Sequence, residues 1–169
     1  MITCVSIIGN IYDDERLNEE FQLISQRGLG EKIILNRVET KQTKLEKTTD
    51  KGTNVEVILE KRTVLRNGDV VYLTRDKIVV VELAPEKIAI LALKPGIMEH
   101  DLFEVAVQIG HKLGKSHQPL KVRGRKIFVP VKSNTHMKRL EKKLGPSREL
   151  FEITMTEMIF NPDVSSNEK

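Results

Sequence analysis

The strongest constraint on this 169-residue chain is a change of hydrophobic period at Ala84-Pro85-Glu86. Before it, apolar residues come in short β-prone pieces separated by turn chemistry. Lys32–Leu35 and Val38–Thr40 are two such pieces, and Val55, Val57 and Leu59 alternate with Glu56, Ile58 and Glu60, mostly as in a half-buried strand. Thr48-Thr49-Asp50-Lys51-Gly52 reads as a turn, and Asn67-Gly68-Asp69 reads as a hairpin signal ahead of Val70–Leu73. Arg75-Asp76 marks another turn before Ile78–Leu83. Short strands at this spacing predict a small β-barrel or sandwich over residues 1–84. Between Asp13 and Gln26, Leu17, Phe21 and Ile24 recur at helical spacing, which leaves a short helix and a loop insertion both open.

Proline at position 85 lacks a ladder donor, and beyond it the pattern becomes strand, helix, two strands, helix, strand. Ile88–Leu93 is a wholly apolar strand ended by Pro95-Gly96. A helix is predicted from Glu99 to Leu113, with Leu102, Val105, Ala106, Ile109 and Leu113 on one stripe. Leu120–Val122 and Lys126–Val129 form a hairpin around Arg123-Gly124-Arg125. A second helix, capped by Ser133, Asn134 or Thr135 and stopped at Gly145-Pro146, is buried through Met137, Leu140 and Leu144. Phe151, Ile153 and Met155 mark the last strand. The expected class is therefore α+β, a β-rich domain over 1–84 followed by a ferredoxin-like βαββαβ domain over 85–161. Residues 162–169 read as a disordered polar tail.

Composition narrows the function. Hydrophobic residues make up 39% and charged ones 31%, the balance of a soluble globular chain. No apolar run approaches the ~20 residues of a membrane span, and the start lacks a basic leader region. The lone Cys4 excludes an internal disulfide framework and a cysteine-rich zinc site, so a cytoplasmic setting is expected. No phosphate loop, nucleophile elbow or His-Glu-x-x-His pattern is present, and an enzyme is not expected. Charge is uneven: Lys112 to Lys143 holds 11 Lys/Arg against Glu141 alone, a local balance of +10 in a chain of net +4. Such a strip suits a solvated face, an acidic partner or nucleic acid.

Metal binding is the sharpest candidate chemistry. The four histidines are His100, His111, His117 and His136, and no two have the i, i+4 spacing of a helical ligand pair. His100 opens the first helix as a cap-region residue, and His111 sits off its apolar stripe, favourably near the helix C-terminus. His117 follows that helix between Gly114, read as its stop, and Pro119, where an imidazole is exposed and has no packing role. His136 begins the second helix and is a candidate auxiliary ligand. A lone histidine is ordinarily a plain surface residue. In a two-fold dimer, however, one beside the axis becomes two ligands, leaving coordination positions open for release.

Two segments carry a family resemblance. Leu113-Gly114-Lys115-Ser116-His117-Gln118-Pro119-Leu120 resembles the Leu-Gly-Asn-Arg-His-x-Pro-Leu segment of the UreE family of urease accessory proteins. Thr48 to Tyr72, through Leu59-Glu60 and Asn67-Gly68-Asp69, is similar to that family's amino-terminal signature. The resemblance covers about residues 30 to 145. It implies a partner-binding amino-terminal domain and a carboxy-terminal domain for metal binding and dimerisation. It further implies a homodimeric nickel metallochaperone, with zinc or copper accepted in vitro, whose partners are urease apoprotein and an accessory GTPase complex. The family's metal histidine falls on His117, paired across the dimer, and a further histidine of some members falls near His136. The chain departs from the family in Lys115-Ser116, where the family has Asn-Arg, and in having no histidine after His136. Delivery of about one ion per dimer is then expected, without storage. The alternatives are a basic nucleic-acid-binding module, disfavoured because Phe128 is the only aromatic in the basic region, and a non-metallated scaffold in urease assembly.

Overall fold

The computed structural model describes residues 1–160 (backbone alone at 99 and 100) and confirms an α+β protein. The chain divides into two compact units, Met1–Ala84 and the remainder from Pro85. The tail expected over 162–169 lies outside the described residues.

In the first unit, β1 (Ile2–Cys4), β4 (Lys44–Thr48) and β5 (Asn54–Ile58) make a three-stranded sheet in the order β1-β5-β4. A four-stranded sheet has the order β2-β6-β7-β3, from β2 (Gly9–Asn10), β6 (Asp69–Thr74), β7 (Lys77–Leu83) and β3 (Gly30–Leu35). Neither sheet closes into a barrel among the described residues. The open segment at 13–26 is resolved as helix α1 (Glu15–Gln26), two of whose free first-turn N–H groups, on Arg16 and Leu17, are capped by the Asp14 carboxylate. Leu17 and Ile24 of α1 pack with Ile11, Val70, Ile78 and Val80. Val79 and Val81, out of phase with that face, are also buried, so β7 is covered on both sides.

Two expectations about this unit need correction, and one strand was not foreseen. Val38–Thr40 is no strand but leads into a 3-10 turn, Glu39–Lys41. The antiparallel partner of β5 is β4, which offers only one buried apolar residue, Leu45, and so gives almost no period-2 signal. Asn67-Gly68-Asp69 makes a turn but not a hairpin, because β5 and β6 belong to different sheets. Its polar groups bind across the unit instead: Asn10 Nδ2 donates to the Asn67 carbonyl and to Asp69 Oδ1, and Gly68 N–H donates to the Val81 carbonyl. Gly68 has φ +87° and Tyr12 lies where a Cβ would stand, so only glycine fits. By contrast, Arg75-Asp76 is a two-residue hairpin loop between Thr74 and Lys77.

The two sheets are tied at one end by a buried carboxylate. Glu31 on β3 accepts from Thr49 Oγ1 at 2.7 Å and meets Lys77 Nζ at 2.6 Å. Burial alone would raise its pKa, but the donors from Lys77, Thr49 and Thr53 outweigh it and hold the carboxyl below its usual range.

The second unit follows the expected βαββαβ order: β8 (Glu86–Leu93), α2 (Glu99–Gly114), β9 (Lys121–Arg123), β10 (Lys126–Pro130), α3 (Asn134–Leu144) and β11 (Phe151–Met158). The strands form an antiparallel sheet in the order β11-β8-β10-β9. Ala89, Leu91, Val129 and Phe151 from the strands bury Ile109 and Leu113 of α2 and Leu140 and Leu144 of α3 against one sheet face. Lys112 Nζ also donates to the Leu144 carbonyl at 3.0 Å, so α2 caps the end of α3. Leu113 is wholly buried where α2 ends. Leu113→Ala is expected to cost about 2–5 kcal/mol in urea unfolding, and hydrogen-exchange protection should fall within residues 86–158.

Candidate metal-binding turn

Helix α2 has two apolar faces. One is the core stripe of Ile109 and Leu113; the other carries Phe103 and Val107, 76% and 56% exposed, with exposed Ala106, Gly110 and Gly114 beside them. The second stripe, at 103, 107, 110 and 114, keeps helical spacing up to the end of the helix.

The helix ends at Gly114, one residue past the expected Leu113, but Gly114 has no positive φ, and the left-handed residue is His117 itself, at φ 48°. His117 N–H donates to the Gly114 carbonyl at 2.9 Å, and Gln118 N–H donates to the Leu113 carbonyl at 3.3 Å. These two bonds form a Schellman motif whose C′ position, usually glycine, is the histidine. Gly114 looked like the terminator because glycine is the commonest C′ residue; hydrogen bonds to the last carbonyls decided otherwise. Ser116 adds a bond from Oγ to the Leu113 carbonyl at 2.9 Å, so the departure at 115–116 supplies a local brace. The His117 side chain is exposed, and among the described residues nothing hydrogen-bonds its ring.

His136 is placed very differently. It is the third residue of α3, and its backbone N–H is capped by Ser133 Oγ at 3.2 Å. Its Nδ1 accepts from the Lys132 N–H at 3.2 Å, which assigns the proton to Nε2, 3.2 Å from Gln118 Oε1. Gln118 Nε2 then donates to the Pro130 carbonyl at 2.9 Å. Both ring nitrogens of His136 are thus engaged, and burial, then Lys143, Lys132 and Arg139, push its pKa below the ordinary 6.5. Gln118, which joins the two histidine segments, carried no signal in the sequence: a glutamine beside a histidine has no pattern of its own. His111 is exposed in the last turn of α2, and His100 lies in its first turn.

Among the described residues no group of three or more His, Cys, Asp or Glu is arranged to hold a metal ion. An open imidazole fits a borderline divalent cation such as nickel, but one chain does not supply a closed four-ligand site from these residues. The basic region is spread over the unit: Lys115 follows α2, Arg123 and Lys126 flank the β9–β10 turn, at the far end of β10 from Pro130 and Gln118, and Lys138 and Arg139 are exposed on α3. Phe128 is half-buried in a groove of about 160 Å³ with Lys121 and Arg123, so no aromatic of the basic region stands fully exposed.

Fold and turn together define a two-unit α+β protein with a β-rich first unit and a histidine-presenting second one. Residues 5–84 match the UreE urease accessory protein, N-terminal domain family. The chain is similar to the urease accessory protein UreE of Natronomonas pharaonis, 30% identical over 129 residues, 76% of this chain and 58% of that protein. It is also similar to UreE of Yersinia aldovae, 22% identical over 141 residues, 81% of this chain and 60% of the relative. Both alignments are longer than the 84 residues of the first unit and therefore enter the second. The amino-terminal unit is a UreE N-terminal domain, and the whole chain is a relative of the urease accessory proteins that carry it. The chain spans about 60% of the length of these relatives.

Two outcomes are expected at this turn. A left-handed non-glycine residue costs roughly 1–2 kcal/mol, so His117→Gly should raise the melting temperature, whereas His117→Val should lower it. His136, whose folded pKa is depressed, contributes stability that is complete above 6.5 and lost as pH falls below it. The melting temperature should therefore drop between about pH 7.5 and 5 in the wild type, and drop less in His136→Gln.

Proposed function

We propose that this protein is a nickel metallochaperone, not an enzyme, which carries nickel as cargo for assembly of the urease active site. It acts as a homodimer in which two His117 imidazoles share the ion. The observation that carries this reading is the exposed His117 ring, held on a left-handed turn at the end of an exposed apolar helix stripe. A residue that accepts an unfavourable backbone conformation while its side chain stays exposed is more readily explained by a ligand role than by folding. The similarity to urease accessory proteins supports the cargo and the process.

The second unit, read as ferredoxin-like, supplies the dimer face. Pairing Phe103 and Val107 with their symmetry mates would remove a large apolar stripe from water and bring the two α2 ends together. Two imidazoles leave open positions on the ion, which suits a carrier that must release it. His136 enters as an auxiliary ligand only by giving up its bond to Lys132 or to Gln118. The β-rich first unit binds partners, and the basic strip faces an acidic surface of urease apoprotein or of the accessory GTPase complex in the cytoplasm. Copper outranks nickel at most nitrogen sites, so selectivity rests on availability and handover.

Calorimetry should find about one nickel ion per two chains, and binding should weaken in acid because the ligand must be neutral imidazole. His117→Gly, which preserves the turn, should abolish it; undiminished binding in that variant would sink the assignment. Phe103→Asp should yield monomers in sedimentation velocity and lose the shared site. A dimer that survives this change places the interface elsewhere.

A further inference from the structure

Resting on the nickel reading, we propose that His136 serves the site as a positioning residue acting through Gln118, and not as a ligand. The geometry is a chain of bonds ending at the metal turn. Lys132 N–H donates to His136 Nδ1, His136 Nε2–H donates to Gln118 Oε1, and Gln118 Nε2 donates to the Pro130 carbonyl. Pro130 closes strand β10, and Lys132 immediately precedes Ser133, the residue that caps α3. The half-buried Gln118 side chain is therefore pinned to the strand end and to the start of the helix at once.

That residue is also the C″ position of the turn, where its own N–H reaches back to the Leu113 carbonyl at 3.3 Å. Gln118 is thus held by backbone on one side and by side chain on the other, and Pro119 restricts the chain beyond it. His117, immediately before, has its left-handed backbone fixed without any hydrogen bond to its own ring among the described residues. A shared site needs this, since a weak two-imidazole site loses affinity if each ring must be ordered on binding. Recruiting His136 as a ligand would break the clamp that orders His117.

The two roles separate in a double-mutant cycle. Nickel affinity is measured by calorimetry for the full-length protein and for Gln118→Ala, His136→Ala and the double variant, with melting temperature and circular dichroism read beside each. Positioning expects roughly tenfold weaker binding in each single variant, with the double variant no worse than either. His136→Gln, which keeps a side-chain N–H within reach of Gln118, should recover most of the affinity, and X-ray absorption should count the same number of imidazoles per nickel in wild type and His136→Ala. The proposal is overturned if Gln118→Ala binds nickel as well as wild type, or if His136→Ala removes an imidazole from the count. Failure of the nickel reading itself would show separately, as binding that survives His117→Gly.

Discussion

The arrangement of the second unit depends on Leu113. Its side chain is fully buried among Ile109, Leu140 and Leu144, and its carbonyl accepts from the N–H groups of Ser116 and Gln118 and from Ser116 Oγ. The same residue therefore belongs to the core and to the helix terminus. Burial fixes the rotation of α2 about its axis, and the carbonyl fixes how the chain leaves it. The exposed imidazole at His117 follows from the two together, because a Schellman turn built on an immobile carbonyl leaves its C′ residue little choice of direction.

A second constraint is polar. In the first unit Glu31, Lys77, Thr49 and Thr53 form a buried satisfied network, and Asn10 and Asp69 form another around the Asn67–Gly68 turn. In the second, His136 and Gln118 form a part-buried pair at the edge of the His117 turn. Such groups are costly to bury unless each hydrogen bond is made, so they hold particular loops in particular places better than apolar contacts, which have no direction.

Much of the fold was legible in local sequence. The βαββαβ order beyond Pro85 could be read because β8 and α2 carry long apolar stripes with clear stops, and because Ser133 and Gly145 punctuate α3 at both ends. The α1 stripe of Leu17, Phe21 and Ile24 was visible too, though twelve residues next to a loop did not distinguish helix from insertion. What failed were features whose signal is spread over distance. β4 shows one buried apolar residue and exists through pairing with β5, while Asn67-Gly68-Asp69 has hairpin chemistry that the neighbouring strands do not use. At the site, His117 could be singled out by its neighbours Gly114 and Pro119, but its left-handed backbone could not, since Gly114 was the better local candidate for that conformation.

The sequence by itself determined the α+β class, the succession of elements beyond Pro85, and the presence of an imidazole just past a helix in a basic region, together with the likeness of two segments to UreE. These are properties of residues within a few positions of one another, where period, capping and turn chemistry act. Only the tertiary structure decided that His117 and not Gly114 takes the left-handed position, that His136 has both nitrogens engaged, and that Gln118 links the two. The reason is that a hydrogen bond between residues 118 and 136 depends on where β10 and α3 bring the chain, and no local pattern encodes that meeting.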